Sequence, residues 1–163
     1  MSTFHRSAPV GIEFEAVALV LEESGPFVVG AVDESGAPTH EDFTGHLFGL
    51  EVGHPVTIHS GEVERAERPF QVATLPLRIE ASDHEGWFPV FDGDIEVVGL
   101  SSGTSEIAME GTYRPPAGPV GALTSAIGLH HLAEEALGHY FETLVERLRG
   151  RCAGAEPATG IPV

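Results

Sequence analysis

The sequence predicts an α+β fold in which a curved antiparallel sheet packs on one long C-terminal helix. Three observations predict it: four strand-like runs follow one another between residues 54 and 114, their apolar residues fall on one side, and apolar residues after position 119 recur at helical spacing. A chain of 163 residues has the size of a common single domain. We therefore predict one domain over residues 1–149 and a flexible tail over residues 150–163.

The N-terminal part begins with a predicted strand, Phe4 to Ile12. The segment Glu13 to Ser24 then places Phe14 and Val17 at helical spacing, which favours a helix, although an alternation in the same residues leaves one long strand as the alternative. The segment Gly25 to Gly53 is rich in Gly, Pro, Asp and His, so it is predicted to be irregular, with room for one short helix.

Four predicted strands follow. They are His54 to Ala66, Phe70 to Ser82, Trp87 to Leu100 and Ser105 to Arg114. Turn-forming clusters separate them, which is typical of an antiparallel meander. In the second run Ala73 and Leu77 face away from Thr74 and Arg78, so the sheet is expected to have one apolar face and one solvated face.

The last predicted element is a long amphipathic helix. Pro115 and Pro116 end the sheet, and Gly118 followed by Pro119 suits a helix cap and first turn. The helix is predicted to begin near Pro119 and to end near Gly150, a length of roughly 45 Å. Its apolar positions are Val120, Leu123, Ile127, Leu137, Phe141, Leu144 and Leu148. Lying across a curved sheet, it would form a helix-grip arrangement.

Several segments resemble a known superfamily. The stretches LPLRIEAS, WFPVFDGDIEVVGL, GTYRPPAGPVGAL and LHHLAEEAL, in this order, resemble an uncharacterised group within the START-like, polyketide cyclase-like superfamily of SRPBCC proteins. The resemblance is strongest over Leu75 to Leu148. It implies a helix-grip fold around an apolar pocket, and it implies no catalytic residue set, because superfamily members range from carriers to cyclases.

Composition excludes several classes of function. Eight Lys and Arg against 25 Asp and Glu give a formal charge of −17, which disfavours nucleic-acid partners and anionic membrane surfaces. The sequence shows neither a secretory signal nor an apolar run long enough to span a bilayer, so we expect a cytoplasmic protein without membrane insertion. The single cysteine, Cys152, cannot form a disulfide or a cysteine-based zinc site within one chain. We expect no cofactor and leave a homodimer open.

The helix carries the most distinctive polar residues. After Leu123 and Ile127, the next inward positions are His130 and Glu134. If His130 faces a cavity, its imidazole can bind a ligand hydroxyl or act as a general base; the alternative is a surface His–Glu pair at the edge of the packed zone. Tyr113 is predicted to be buried, and its hydroxyl then needs a partner, which can be backbone, ligand or His130.

Two other groups of polar residues resemble metal or acid–base sites. His131, Glu135 and His139 repeat every four residues, but they span about 12 Å of helix axis, which is too long for one ion, and their order differs from the zincin motif. We therefore expect no metal. Asp92 and Asp94 alternate with apolar residues of their strand, so they are predicted to be solvated.

The predicted function is the binding of a hydrophobic small molecule, lipid-like or polyketide-like, in a cavity between the sheet and the C-terminal helix. Two alternatives remain at this point: an enzyme of the cyclase or dehydratase type in which His130 or Tyr113 moves a proton, and a protein-interaction module without a ligand. The sequence leaves open whether any reaction is catalysed. The predicted ligand-binding residues are Gln71, Leu75, Leu77, Ile95, Met109, Tyr113, Ile127, His130 and Leu137.

Overall fold

A computed structural model describes residues 2–33, 35–38, 41–47, 50–67, 69–81, 90–114 and 126–155. Within them the chain forms seven strands and two helices. The strands are β1 (Ser2–Val10), β2 (Glu41–Leu47), β3 (Leu50–Ser60), β4 (Glu64–Ala66), β5 (Val72–Ala81), β6 (Val90–Ser101) and β7 (Thr104–Arg114). The helices are α1 (Phe14–Val28) and α2 (Ala126–Ala155).

The strands form one antiparallel sheet in the order β1-β7-β6-β5-β3-β2, and the short β4 pairs with β5 beside β3. The predicted meander is confirmed, since β5, β6 and β7 pair in sequence. The two edge strands, β1 and β2, both contact α2. A sheet whose two edges contact the same helix has to curve around that helix, so the predicted helix-grip fold is confirmed.

The structure corrects the N-terminal third of the prediction. The segment Gly25 to Gly53 is not irregular, because α1 continues to Val28 and the hairpin of β2 and β3 occupies much of the remainder. This hairpin supplies its own backbone hydrogen bonds and β3 also pairs with β5, so it forms despite the weak strand propensity of its Gly and His residues. The predicted strand His54 to Ala66 is two strands, β3 and β4.

The predicted helix after β1 is confirmed, and the alternative of one long strand is wrong. Phe14, Val17 and Leu21 recur at helical spacing and are buried. The helix is irregular at Ser24, whose φ of −134° and ψ of 20° interrupt it two residues before Pro26. Because proline lacks a backbone N–H donor, this break places Pro26 near the start of a new turn. α1 is therefore two short helical pieces.

α2 extends further than the sequence predicted. Its predicted start near Pro119 lies outside the described residues, but its end is at Ala155 and not near Gly150. Cys152 explains the extension, since it is buried and its Sγ lies 4.0 Å from the backbone O of Ala16 in α1. At least the first part of the predicted tail is thus helical, and the single domain over residues 1–149 stays a prediction.

Polar contacts hold α1 between the sheet and α2. Arg65 on β4 forms ion pairs with Glu15 and Glu22 of α1, and its guanidinium lies 5.8 Å from the centre of the Phe14 ring. On the other side, the buried Tyr140 of α2 donates its hydroxyl hydrogen to the backbone O of Val29, at 2.7 Å. These contacts set the position of α1 over one end of the sheet.

Candidate functional site

The polar site nearest the apolar interior is centred on Tyr113, which lies next to the end of β7. The residue is 1% exposed. Its hydroxyl oxygen lies 2.6 Å from Nδ1 of His130 in the first described turns of α2, and the two rings are 5.6 Å apart at a tilt of 34°. His130 was one of the three partners expected for this hydroxyl, and the structure brings the two into contact.

His130 extends this contact to a carboxylate. Its Nε2 lies 3.2 Å from Oε1 of Glu134, one helical turn further along α2. The hydroxyl oxygen of Tyr113 also lies 3.3 Å from Nε2, so it contacts both ring nitrogens, and the nitrogen that carries no hydrogen can accept the hydroxyl hydrogen. The side chains of His130 and Glu134 are 43% and 45% exposed. The pair therefore lies at the edge of the packed zone while it is also bonded to a buried phenol.

The environment keeps Tyr113 protonated. Burial raises the pKa of its hydroxyl above 10.0, the carboxylate of Glu134 raises it further, and a hydrogen bond with Ser2 partly offsets the two. Ser2 is brought here by the pairing of β1 with β7, which places it directly opposite Tyr113. At neutral pH the phenol is therefore a hydrogen-bond donor.

Stability is expected to fall at alkaline pH because of Tyr113 and Cys152. Burial also raises the pKa of the Cys152 thiol above 9.0. Since both folded-state pKa values lie above the unfolded ones, their contribution to stability is complete below about pH 9 and is lost as the pH rises through the folded values. Urea midpoints measured between pH 8 and pH 11 should decline, and Cys152→Ala and Tyr113→Phe should each flatten part of that decline. An equally steep decline in both variants would contradict this assignment.

Five of the predicted ligand-binding residues lie in a closely packed core. Leu75, Leu77, Ile95, Met109 and Leu137 are 0–3% exposed and belong to one cluster of buried residues. Their side chains are almost entirely enclosed by other protein atoms. In the described part of the chain, the centre of the sheet–helix interface is therefore packed with protein side chains.

Two other predicted residues lie elsewhere. Gln71 precedes the first residue of β5 and is exposed at the end of the sheet, where its side chain and Phe14 of α1 both lie beside Gly99; its backbone O accepts a hydrogen bond from the N–H of Gly99. Ile127 belongs to α2, and its side chain lies outside the described ones. The site that the structure assembles from the prediction is thus Tyr113 and His130, with Glu134 added.

Two surface grooves flank α1. One, of about 600 Å³, lies between the second half of α1 and the β3–β4 connection, and the predicted ligand-binding residue Leu75 is at its base beside Leu21 and Arg65. The other, of about 770 Å³, lies between α1 and the last turns of α2. Neither groove includes Tyr113 or His130.

The remaining candidate residues face solvent. His131, Glu135 and His139 are exposed on α2, and the described ranges contain no group of three His, Cys, Asp or Glu residues arranged to hold a metal ion. Asp92 and Asp94 are exposed as predicted, and Asp92 accepts two hydrogen bonds from Arg78, at 2.8 and 2.9 Å. Asp92 and Asp94 therefore lie on the solvated face of the sheet.

Solved structures share this architecture. The Zhui aromatase/cyclase from Streptomyces sp. R1128 superposes with a TM-score of 0.51 at 12% identity, covering 98% of both chains. The chain has the helix-grip fold. A conserved protein from Geobacillus kaustophilus superposes with a TM-score of 0.52 at 14% identity, covering 91% of this chain and 96% of that one. A protein from Bacillus thuringiensis superposes with a TM-score of 0.50 at 17% identity, covering 93% of this chain and 99% of that one.

Comparisons by sequence add no assignment, since no family model and no curated protein matches the chain. The fold is the one that the resemblance to the SRPBCC superfamily implies. Among the described helices, neither is long and apolar enough to cross a membrane.

Proposed function

We propose that this protein binds a small, largely apolar molecule, lipid-like or polyketide-like, where Tyr113 meets His130 at one end of the sheet–helix interface. The observation that carries the proposal is the hydrogen-bonded chain from the buried phenol of Tyr113 through His130 to Glu134. A ligand hydroxyl or carbonyl group that displaces the Tyr113–His130 hydrogen bond would find a donor and an acceptor side by side there.

The packing of the interior supports this location. The core residues Ile95, Met109 and Leu137 are fully buried, whereas the imidazole of His130 is half-exposed. Small-molecule sites are mostly apolar and use a few polar groups to orient the ligand. A half-exposed imidazole at the border of a large apolar core fits that description, and the shared fold with an aromatase/cyclase agrees with a polyketide-like ligand.

The same geometry favours a second function, an enzyme of the cyclase or dehydratase type. Glu134 lies beside the imidazole of His130, and the Tyr113 hydroxyl contacts the same ring. A substrate that displaces the Tyr113–His130 hydrogen bond could give a proton to the unprotonated ring nitrogen, while the Tyr113 hydroxyl donates to the oxyanion that develops. Its raised pKa keeps that hydroxyl protonated for this role.

Native mass spectrometry of protein purified without denaturation tests the binding proposal. We expect a retained compound in the wild type and its loss in His130→Ala. His131→Ala is the matched control, because His131 is the adjacent residue, has the same chemistry and is exposed on another face of α2. That control should retain the compound as the wild type does.

A second measurement covers a ligand that is lost during purification. Titration with 1-naphthol, an apolar molecule with one hydroxyl group, should raise the unfolding temperature of the wild type and of His131→Ala, but not of His130→Ala. If the wild type neither retains a compound nor responds to 1-naphthol, or if His130→Ala binds as well as the wild type, the proposal is wrong. If the wild type converts the retained compound to a product and His130→Ala does not, the protein is an enzyme of the cyclase or dehydratase type.

A further inference from the structure

The 770 Å³ groove between α1 and the last turns of α2 is a second candidate site. It lies far from Tyr113, because its α2 residues Arg149, Cys152 and Ala153 come some 20 residues after His130, which corresponds to roughly 30 Å of helix axis. The turn between β6 and β7 closes one end of the groove. What this groove binds is therefore independent of the function proposed above.

The floor of the groove is apolar. Ala16, Leu19 and Val20 present one face of α1 to it, and Cys152 of α2 lies beside them. Leu19 is 48% exposed, which is unusual for a leucine in a helix whose other apolar residues are mostly buried. An apolar body laid in the groove would remove this leucine from water, and each square ångström of apolar surface so buried contributes about 25 cal/mol.

The rim of the groove is acidic. Glu13, Glu15 and Glu23 of the α1 segment line it, against one guanidinium, that of Arg149. Glu15 is engaged by Arg65, and Arg149 donates a hydrogen bond to the backbone O of Pro9 at 3.3 Å. The carboxylates of Glu13 and Glu23 have neither an ion pair nor a hydrogen bond to any of the residues that the structure describes.

We propose that this groove binds an amphipathic organic cation, with its apolar body over Leu19 and its ammonium group beside Glu13 or Glu23. Charge selects the cation, since the unpaired groups at the rim are carboxylates and the whole chain carries −17. Size selects a small molecule: the volume lies within the roughly 300–1,000 Å³ of small-molecule sites.

Three probes with the same chain length test the charge selection: octylammonium, octanol and octanoate. The reporter is Cys152, the single cysteine of the chain, whose alkylation by neutral iodoacetamide is followed by mass spectrometry. We expect octylammonium to slow the alkylation by roughly threefold or more, octanol to act weakly and octanoate not at all. Protection should weaken at 0.5 M salt, because screening reduces the attraction between exposed charges.

Two variants locate the binding. Glu13→Gln with Glu23→Gln should raise the octylammonium concentration that gives half-maximal protection roughly fivefold, because each exposed ion pair contributes only modestly to binding. Asp94→Asn with Glu96→Gln makes the same change of charge on the exposed face of β6 and should leave protection unchanged. Leu19→Ser should weaken it without unfolding the chain, because Leu19 is half-exposed.

Three outcomes would overturn the proposal. The first is protection of Cys152 by octanoate or octanol that equals protection by octylammonium, the second is the absence of protection by octylammonium, and the third is equal protection of the Glu13/Glu23 variant and the wild type. None of these outcomes affects the test at His130, which measures a different compound at the other end of α2.

Discussion

Replacing Gly93 by alanine is expected to lower the free energy of unfolding by more than about 3 kcal/mol. A Cβ atom at this position would collide with the backbone O of Glu110 and would lie 2.7 Å from Cα of Gly111, the residue opposite Gly93 in the β6–β7 pair. These are backbone atoms of the neighbouring strand, so no side chain can rotate away to make room. The pairing of β6 with β7 has to open at this point.

Gly103→Ala is the matched control for this prediction. Gly103 lies in the turn that joins the same two strands, and a Cβ there would meet no atom within 4 Å. Urea unfolding should place Gly103→Ala within about 0.5 kcal/mol of the wild type. If Gly93→Ala came equally close to the wild type, the tight approach of β6 and β7 at this pair would be refuted.

The glycine pair also explains how Phe91 is positioned. The Phe91 ring lies 2.7 Å from where a Cβ of Gly93 or of Gly111 would be, so it covers the two glycines, and it meets the Phe4 ring edge to face at 6.2 Å. An aromatic ring over a pair of glycines fills the space that their missing side chains leave in a curved sheet. The curvature that lets β1 and β2 reach α2 is thus supported at the centre of the sheet.

The sequence alone predicted the buried faces correctly where a single physical constraint determines the order of apolar and polar residues. Burial of one face of a strand imposes alternation, so Ala73 and Leu77 were correctly placed on the apolar face. Helical spacing likewise placed Leu137 and Phe141 on the buried side of α2. Each of these inferences needs only residues that are neighbours in the chain.

Features that depend on pairing over long distances could not be derived in this way. The stretch containing Asp92, Gly93 and Asp94 was interpreted through its aspartates, because the role of Gly93 appears only when Gly111 lies opposite it. Ser2 reaches Tyr113 only through the pairing of β1 with β7, more than a hundred residues later in the chain. The β2–β3 hairpin, whose pairing is local, was missed for another reason, because its Gly and His residues have weak strand propensity.

The candidate site shows a related limit. The sequence identified the faces of sheet and helix that meet, and from this the nine ligand-binding residues were chosen. Which of those residues contact each other and which contact a ligand depends on the volume left between the two faces, and pattern carries no information on that volume. The contact between Tyr113 and His130 could be predicted because a buried hydroxyl needs a hydrogen-bond partner. This requirement does not depend on the volume between the sheet and the helix.

The stability of Leu137→Ala tests how much empty volume lies between the sheet and α2. Leu137 is fully buried on α2, and in a closely packed core the substitution is expected to cost about 3 kcal/mol or more, because the transfer energy of the lost atoms is joined by that of an unfilled cavity. Leu100→Ala, at a residue that is 55% exposed, is the control and should change the free energy of unfolding by less than about 0.5 kcal/mol. Urea unfolding of both variants supplies the measurement.

The size of the loss at Leu137 also separates the two possible positions of the ligand. A side chain that already borders an empty cavity creates little new void when it is shortened, so its loss would approach the transfer energy alone, about 1.5–2 kcal/mol or less. A loss of that size would place ligand space at the centre of the interface, next to Ile95 and Met109. A loss of about 3 kcal/mol or more would instead show that the centre of the interface is filled by protein side chains. The ligand would then bind only at the end of the interface, where Tyr113 bonds to His130.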